Sequence, residues 1–144
     1  MKYLMLALVF GVSLFASNLD TFAKEMGFER EFSQALQKAK QQNKPLVLIL
    51  SKHDCGWCRR FEKRTLKAKE VHTQLQKSFV VVVEDKKADT QRYPSKRYTT
   101  SFTPKSFFID PRDESTLLES NGYVKREDFV HVLERVLKRY KGKV

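Results

Sequence analysis

Apolar positions recur along the chain with two different periods, and their alternation lays out a fold. Phe28, Phe32, Ala35, Leu36 and Ala39 fall at i, i+4, i+7, i+8 and i+11, one face of a helix. Asn43, Lys44 and Pro45 end it. Residues 46–50, LVLIL, are apolar without a break, the pattern of a strand buried on both faces. A second helical stretch follows residue 58, with Phe61, Leu66, Val71 and Leu75 as its apolar positions. Their uneven spacing predicts one bent helix or two short ones. FVVVV at 79–83 is a second buried strand, rich in β-branched residues. Residues 86–101 are polar, contain Pro94, and predict a loop with at most a short helical turn. SFFID at 106–110 and TLLE at 116–119 are the third and fourth strands, joined through a turn at Asp110–Asp113. Asn121-Gly122 is another turn. Phe129, Leu133, Val136 and Tyr140 mark a last helix over 126–140, acidic at its start and basic at its end, with Gly142 placed to cap it.

The order is helix, strand, helix, strand, loop, strand, strand, helix. The first half is a βαβ unit, whose strands should be parallel. The short link between the last two strands makes an antiparallel hairpin. The fold class is α/β: a mixed sheet of four strands, five at most, with helices on both faces.

The N-terminus adds a separate segment. Lys2 precedes an apolar run over 3–16, broken only by Gly11 and Ser13. That is the length of a signal-peptide core and short for a membrane span. Ala16 and Ser17 are small, but the −3 position is Leu14 or Phe15, which a good cleavage site does not use. Residues 1–17 are therefore expected to be a signal peptide or, uncleaved, an N-terminal anchor. Either one exports the rest, and a periplasmic location is expected. Residues 18–27 read as a short polar lead-in. Residues 28–144 then form one domain, long enough to bury its own core.

Charge changes the picture less than its size suggests. The net charge is +11, from 28 Lys+Arg against 17 Asp+Glu. The cations are spread from Lys24 to Lys143 with no run of five, and the aromatic content is mostly phenylalanine, which suits a core. Nucleic-acid binding is not expected. A basic surface facing acidic lipid or acidic partners is.

Both cysteines of the chain, Cys55 and Cys58, lie in SKHDCGWC, directly after the first predicted strand. Three roles are open. As a structural staple, the pair closes so short a loop that chain entropy contributes only about 2 kcal/mol, against about 4.7 for a 100-residue loop. As a zinc site it offers two of four ligands, with no second pair to complete them. Copper(I) needs fewer soft ligands, so a copper chaperone stands as the alternative function. As a redox pair, Cys55 opens a helix where free N–H groups favour the thiolate. Cys58, almost one turn on, lies within disulfide reach. Cys55 would attack a partner disulfide and Cys58 would resolve the mixed disulfide. Lys52, Arg59 and Arg60 would favour the Cys55 thiolate, and Asp54 opposes them.

The strand followed by Cys-Gly-Trp-Cys, the order of elements and the later Thr103-Pro104, two residues before SFFID, resemble the thioredoxin superfamily. The resemblance spans residues 28–140. It implies a thioredoxin-like fold and thiol–disulfide oxidoreductase activity, with Cys55 as nucleophile and Cys58 as resolver. It also implies a cis bond at Pro104, with Thr103 and Pro104 contacting the substrate backbone, and redox poise set by Gly56 and Trp57. No cofactor and no resident metal are implied. KPLVLILSKHDCGWCRRFEKRTL is similar to exported single-domain thioredoxin-like proteins and to the C-terminal domain of the electron conductor DsbD. The expected partners are cysteine-containing exported proteins and a membrane electron donor of the DsbD type. The motif is also similar to the DsbC-type isomerases, which carry an N-terminal dimerisation domain. Residues 18–27 are too few for one, so a monomer is expected. The reductase or isomerase direction is favoured.

One departure concerns the proton of Cys58. Thioredoxins bury an acid in the strand before the motif, and here Ile49 stands there. Glu84, ending the second strand, is a candidate acceptor but reads better as a solvated strand end. His53 reads as a loop histidine, with tuning of Cys55 as the alternative, while His72 and His131 read as surface. Tyr93, Tyr98 and Phe102 read as core and loop packing.

Overall fold

The computed structural model describes residues 18–143. The expectations for residues 1–17 lie outside the described residues. The elements are α1 (Asn18–Met26), α2 (Phe32–Gln42), β1 (Leu46–Ser51), α3 (Gly56–Phe61), α4 (Lys69–Ser78), β2 (Val80–Asp85), β3 (Lys105–Ile109), β4 (Thr116–Asn121) and α5 (Arg126–Gly142). A π-helical turn, Glu62–Leu66, continues α3 towards α4. The predicted bent helix is thus two helices joined by that turn. The sheet order is β2-β1-β3-β4. β1 runs parallel to β2 and antiparallel to β3, and β3 is antiparallel to β4.

Every residue of β1 is buried. Val47 and Ile49 face a core shared with α1, α4, α5 and the π turn, built around Phe61, Phe108 and Phe129. Leu46, Leu48 and Leu50 face a second core with Phe32, Ala35 and Ala39 of α2 and with Tyr93 and Tyr98. Period-2 alternation accounts for the split, because successive strand residues point to opposite faces. Asn43 ends α2 in the left-handed conformation, φ 50°, a geometry its short polar side chain tolerates.

Three expectations fail at element ends. The polar lead-in is a helix, α1, whose Leu19, Phe22, Ala23 and Met26 are buried at helical spacing. Phe28 does not belong to α2. Residues 28–31 lie outside α2, and Glu29 bridges β2, its N–H donating to Val81 O at 2.8 Å and its carbonyl accepting from Val83 at 3.1 Å. This bridge stands where a fifth strand would lie. Phe28 instead packs edge-on against Phe22, ring centroids 5.9 Å apart, and so docks α1. Gly142 lies inside α5, and Lys143 is the residue that caps it.

Docking of α1 rests on Phe22, which is 7% exposed. Phe22→Ala is expected to destabilise the domain by about 3 kcal/mol, the low end for a buried phenylalanine. Urea unfolding measures this, and a loss well below about 1 kcal/mol would show that α1 is not part of the cooperative unit.

Candidate active site

β1 ends at Ser51, and the chain turns through Lys52–Asp54 to reach Cys55, the N-cap of α3. Cys55 and Cys58 form a disulfide, with Cα atoms 5.2 Å apart. Cys58 is 1% exposed, whereas Cys55 is half-buried. The Cys58 backbone N–H donates to Cys55 Sγ at 3.1 Å. From across the site, the Thr103 hydroxyl donates to the same sulfur at 3.3 Å, and the Thr103 carbonyl oxygen lies 3.6 Å from it. The Thr103–Pro104 peptide bond is cis, and Pro104 is buried at the start of β3. So Cys55 and Cys58 meet Thr103, 45 or more positions further along the sequence, at one sulfur.

Gly56 is exposed, and a Cβ there would meet nothing within 4 Å. Trp57 is 58% exposed. Its ring lies 5.7 Å from that of Tyr123, and the Arg60 guanidinium sits over both, at 5.4 and 5.5 Å. Phe102, expected as packing, is 45% exposed next to Thr103, while Tyr93 and Tyr98 are buried as expected.

Pairing reduces the local charges. Lys52 Nζ is 3.1 Å from Asp54 and holds that carboxyl below its usual range. Arg59 donates to Glu62 at 2.7 Å and to Ser51 Oγ at 2.9 Å. Glu62 is the residue that sequence reasoning missed. It lies four positions after Cys58, one helical turn along the same face, with its side chain 13% exposed. Burial raises its pKa even against Arg59. Its carbonyl accepts from Lys67 N–H at 3.0 Å, the i to i+5 bond of the π turn, a distortion that recurs at functional sites. An acid four residues after the second cysteine was the available signal.

Glu84 is not a solvated strand end. Its side chain is fully buried, on the sheet face it shares with Val80 and Val82. α3 and its continuation pack on the other face, so Glu84 is no neighbour of Cys58 by strand alternation. It belongs to a charge cluster around Arg30, which donates to Glu84 at 3.1 Å, Asp89 at 2.9 Å, Asp20 at 2.7 Å and the Val83 carbonyl. One guanidinium serves three carboxyls. Burial pushes Glu84 up to about 8 despite Arg30, and neighbouring Asp89 adds to the rise. The histidines also divide. His53 is exposed, its backbone N–H donating to Asp85 at 2.9 Å, and His131 is exposed beside Glu134. His72 is half-buried, its ring nitrogen 3.0 Å from the Met26 carbonyl, and helps hold α1. Among the described residues no three His, Cys, Asp or Glu side chains converge as a metal site would require.

A family model for the thioredoxin-like domain matches residues 32–137. The chain belongs to the thioredoxin-like family. Anterior gradient protein 3 of Xenopus tropicalis is 27% identical over 88 residues, 60% of this chain and 51% of that protein. The chain thus spans about half the length of the curated relative it matches. A thioredoxin from Thermus thermophilus superposes with a TM-score of 0.67 at 20% identity, over 76% of this chain and 86% of that one. The oxidised DsbD C-terminal domain of Neisseria meningitidis superposes with a TM-score of 0.58 at 22% identity, over 75% and 97%. At these identities the two structures share the fold.

The raised Glu84 pKa carries a sign. Between the ordinary 4.5 and about 8 the folded protein keeps a proton that the unfolded chain has released. Its contribution is complete below 4.5 and is lost as pH rises through about 8. The thermal midpoint should therefore fall from about pH 5 to pH 8.5, and should fall less in Glu84→Gln. Equal slopes in the two proteins would show that Glu84 does not titrate in this window.

Proposed function

We propose that this protein is an exported thiol–disulfide oxidoreductase that reduces or isomerises disulfides of exported cysteine-containing proteins. One observation carries the reading: a half-buried Cys55 sulfur receives N–H and hydroxyl donors from two sides, while its partner Cys58 is sealed from solvent. A donor pair around one sulfur stabilises negative charge there, so Cys55 is the thiolate that leaves and attacks. The apolar run over residues 3–16 supports export and a periplasmic location. Likeness in fold to the DsbD C-terminal domain supports a membrane electron donor of that type.

In the reducing direction the Cys55 thiolate attacks one sulfur of the partner disulfide. An S–S bond forms between the proteins, the partner's bond breaks, and one partner thiolate leaves. Thr103 and Pro104 line the place where the partner backbone lies beside this bond. The Cys58 thiol then loses its proton, attacks Cys55 Sγ, and releases the second partner thiolate. Two electrons have passed to the partner, whose thiolates take up the two protons of the former Cys55 and Cys58 thiols. A dithiol donor reduces the new Cys55–Cys58 disulfide. Glu62, with its raised pKa one turn beyond Cys58, takes the Cys58 proton in this scheme. Gly56 leaves the approach to Cys55 open, and Trp57 forms its exposed margin.

Cys58→Ser should accumulate mixed disulfides through Cys55, seen as adducts on non-reducing gels. Tight stoichiometric copper(I) binding by the wild type without turnover would favour the chaperone reading instead. Glu62→Gln should slow resolution about tenfold at neutral pH, less than the 10²-fold of a strongly coupled acid–base group because water can substitute. An unchanged rate of mixed-disulfide decay would remove Glu62 from the mechanism.

A further inference from the structure

The two flanks of the cysteine turn differ in charge. On the side of Lys52 and His53 a cavity of about 290 Å³ opens, and its cations are matched. Lys52 pairs with Asp54, Arg59 with Glu62, Arg92 with Glu31 and Asp89, and Arg30 with three carboxyls. On the side of Trp57 a groove of about 430 Å³ is lined by Arg60, Arg64, Tyr123, Lys125, Arg126 and Glu127. Arg126 is paired with Glu127 at 2.7 Å. Arg60, Arg64 and Lys125 are exposed and form no ion pair among the described residues. Three cations without an ion pair among the described residues thus stand along one groove, Lys125 in the field of Glu127, and Trp57 of the redox turn stacks on the groove's Tyr123.

We propose that this groove binds an acidic polypeptide segment next to the reactive cysteine of the partner, so that the protein favours disulfides flanked by Asp or Glu. The inference rests on the oxidoreductase reading and names the partner chemistry of that site. The stacked Trp57, Arg60 and Tyr123 form a continuous wall from the cysteine turn to Lys125, along which an extended chain can lie. An excess of cations beside such a wall raises the encounter rate of an anionic segment and holds its register. A lipid surface fits less well, because the Arg60 guanidinium lies over both Trp57 and Tyr123, so the wall of this groove presents charge together with its rings. Arg64 comes from the π turn and Lys125 from the start of α5, so two elements that also build the core fix the spacing of the charges.

The test uses three disulfide-linked peptides of equal length, with Asp, Asn or Lys on both sides of each cysteine. Each is reduced by the dithiol form of the full chain, and each rate is divided by that peptide's rate with dithiothreitol, which removes differences in intrinsic reactivity. The acidic peptide should react about tenfold faster than the neutral one at low salt, and the lysine peptide slower. The preference should shrink to about twofold near 0.5 M salt. R64E/K125E should abolish it while leaving the neutral peptide within about twofold, and R64Q/K125Q should fall between. Equal normalised rates, or a preference that survives R64E/K125E, would overturn the proposal. So would the absence of any peptide preference together with loss of binding to phosphatidylglycerol vesicles in R64E/K125E, which would assign the groove to lipid. Failure to reduce any of the three peptides would remove the redox reading itself and this proposal with it.

Discussion

A strand covered on both faces and bonded along both edges has no freedom of register, and β1 is such a strand. A slip of one residue would exchange Val47 and Ile49 with Leu46, Leu48 and Leu50 between two filled cores. It would also break the ladders to β2 and β3 together. The end of β1 is therefore a fixed point, and Cys55 is four residues beyond it. The same ladder brings Lys105 of β3 opposite Leu50, which carries Thr103 and Pro104 to the cysteine turn. Burial of apolar surface in the middle of the sheet is thus what sets sulfur-to-hydroxyl distances at its end.

What was legible in the sequence follows from period and packing. LVLIL and the β2 run announce themselves because a strand covered on both faces is apolar over most of its length, and the α5 stripe does so because helices repeat every 3.6 residues. The cysteine pair and Thr103-Pro104 were legible as a motif that needs a strand before it and another after it. Other features were hidden for identifiable reasons. α1 looked polar because only its inner face, Leu19, Phe22, Ala23 and Met26, is apolar and its length is short. Phe28 fitted the helical phase of Phe32 and Ala35 by coincidence of spacing, while its backbone pairs with β2 through Glu29. Glu84 looked solvated because a strand end usually is. Its burial depends on Arg30, which reaches it from 54 positions away.

Electrostatics around the site has two levels. Ion pairs neutralise most of the charges that flank the cysteines in sequence, so proximity along the chain overstates their influence. What reaches Cys55 directly is short-ranged: one backbone N–H and one hydroxyl. The raised pKa of Glu62 has a different origin, since it arises from burial and not from any like charge. Acidic and cationic functions of the site are separated, with the half-buried Glu62 carboxyl in the π turn and Arg60, Arg64 and Lys125 exposed.

The position of α1 has a further consequence for orientation. Asn18, Leu19 and Asp20 line the same cavity as Lys52 and His53, so the described chain begins at the end of the sheet that carries the cysteines. Its C-terminal helix leaves elsewhere, with Arg139 bonded to the Leu117 carbonyl. A handle applied at Asn18 would pull on the chemically active pole of the domain and turn that pole towards whatever holds the handle.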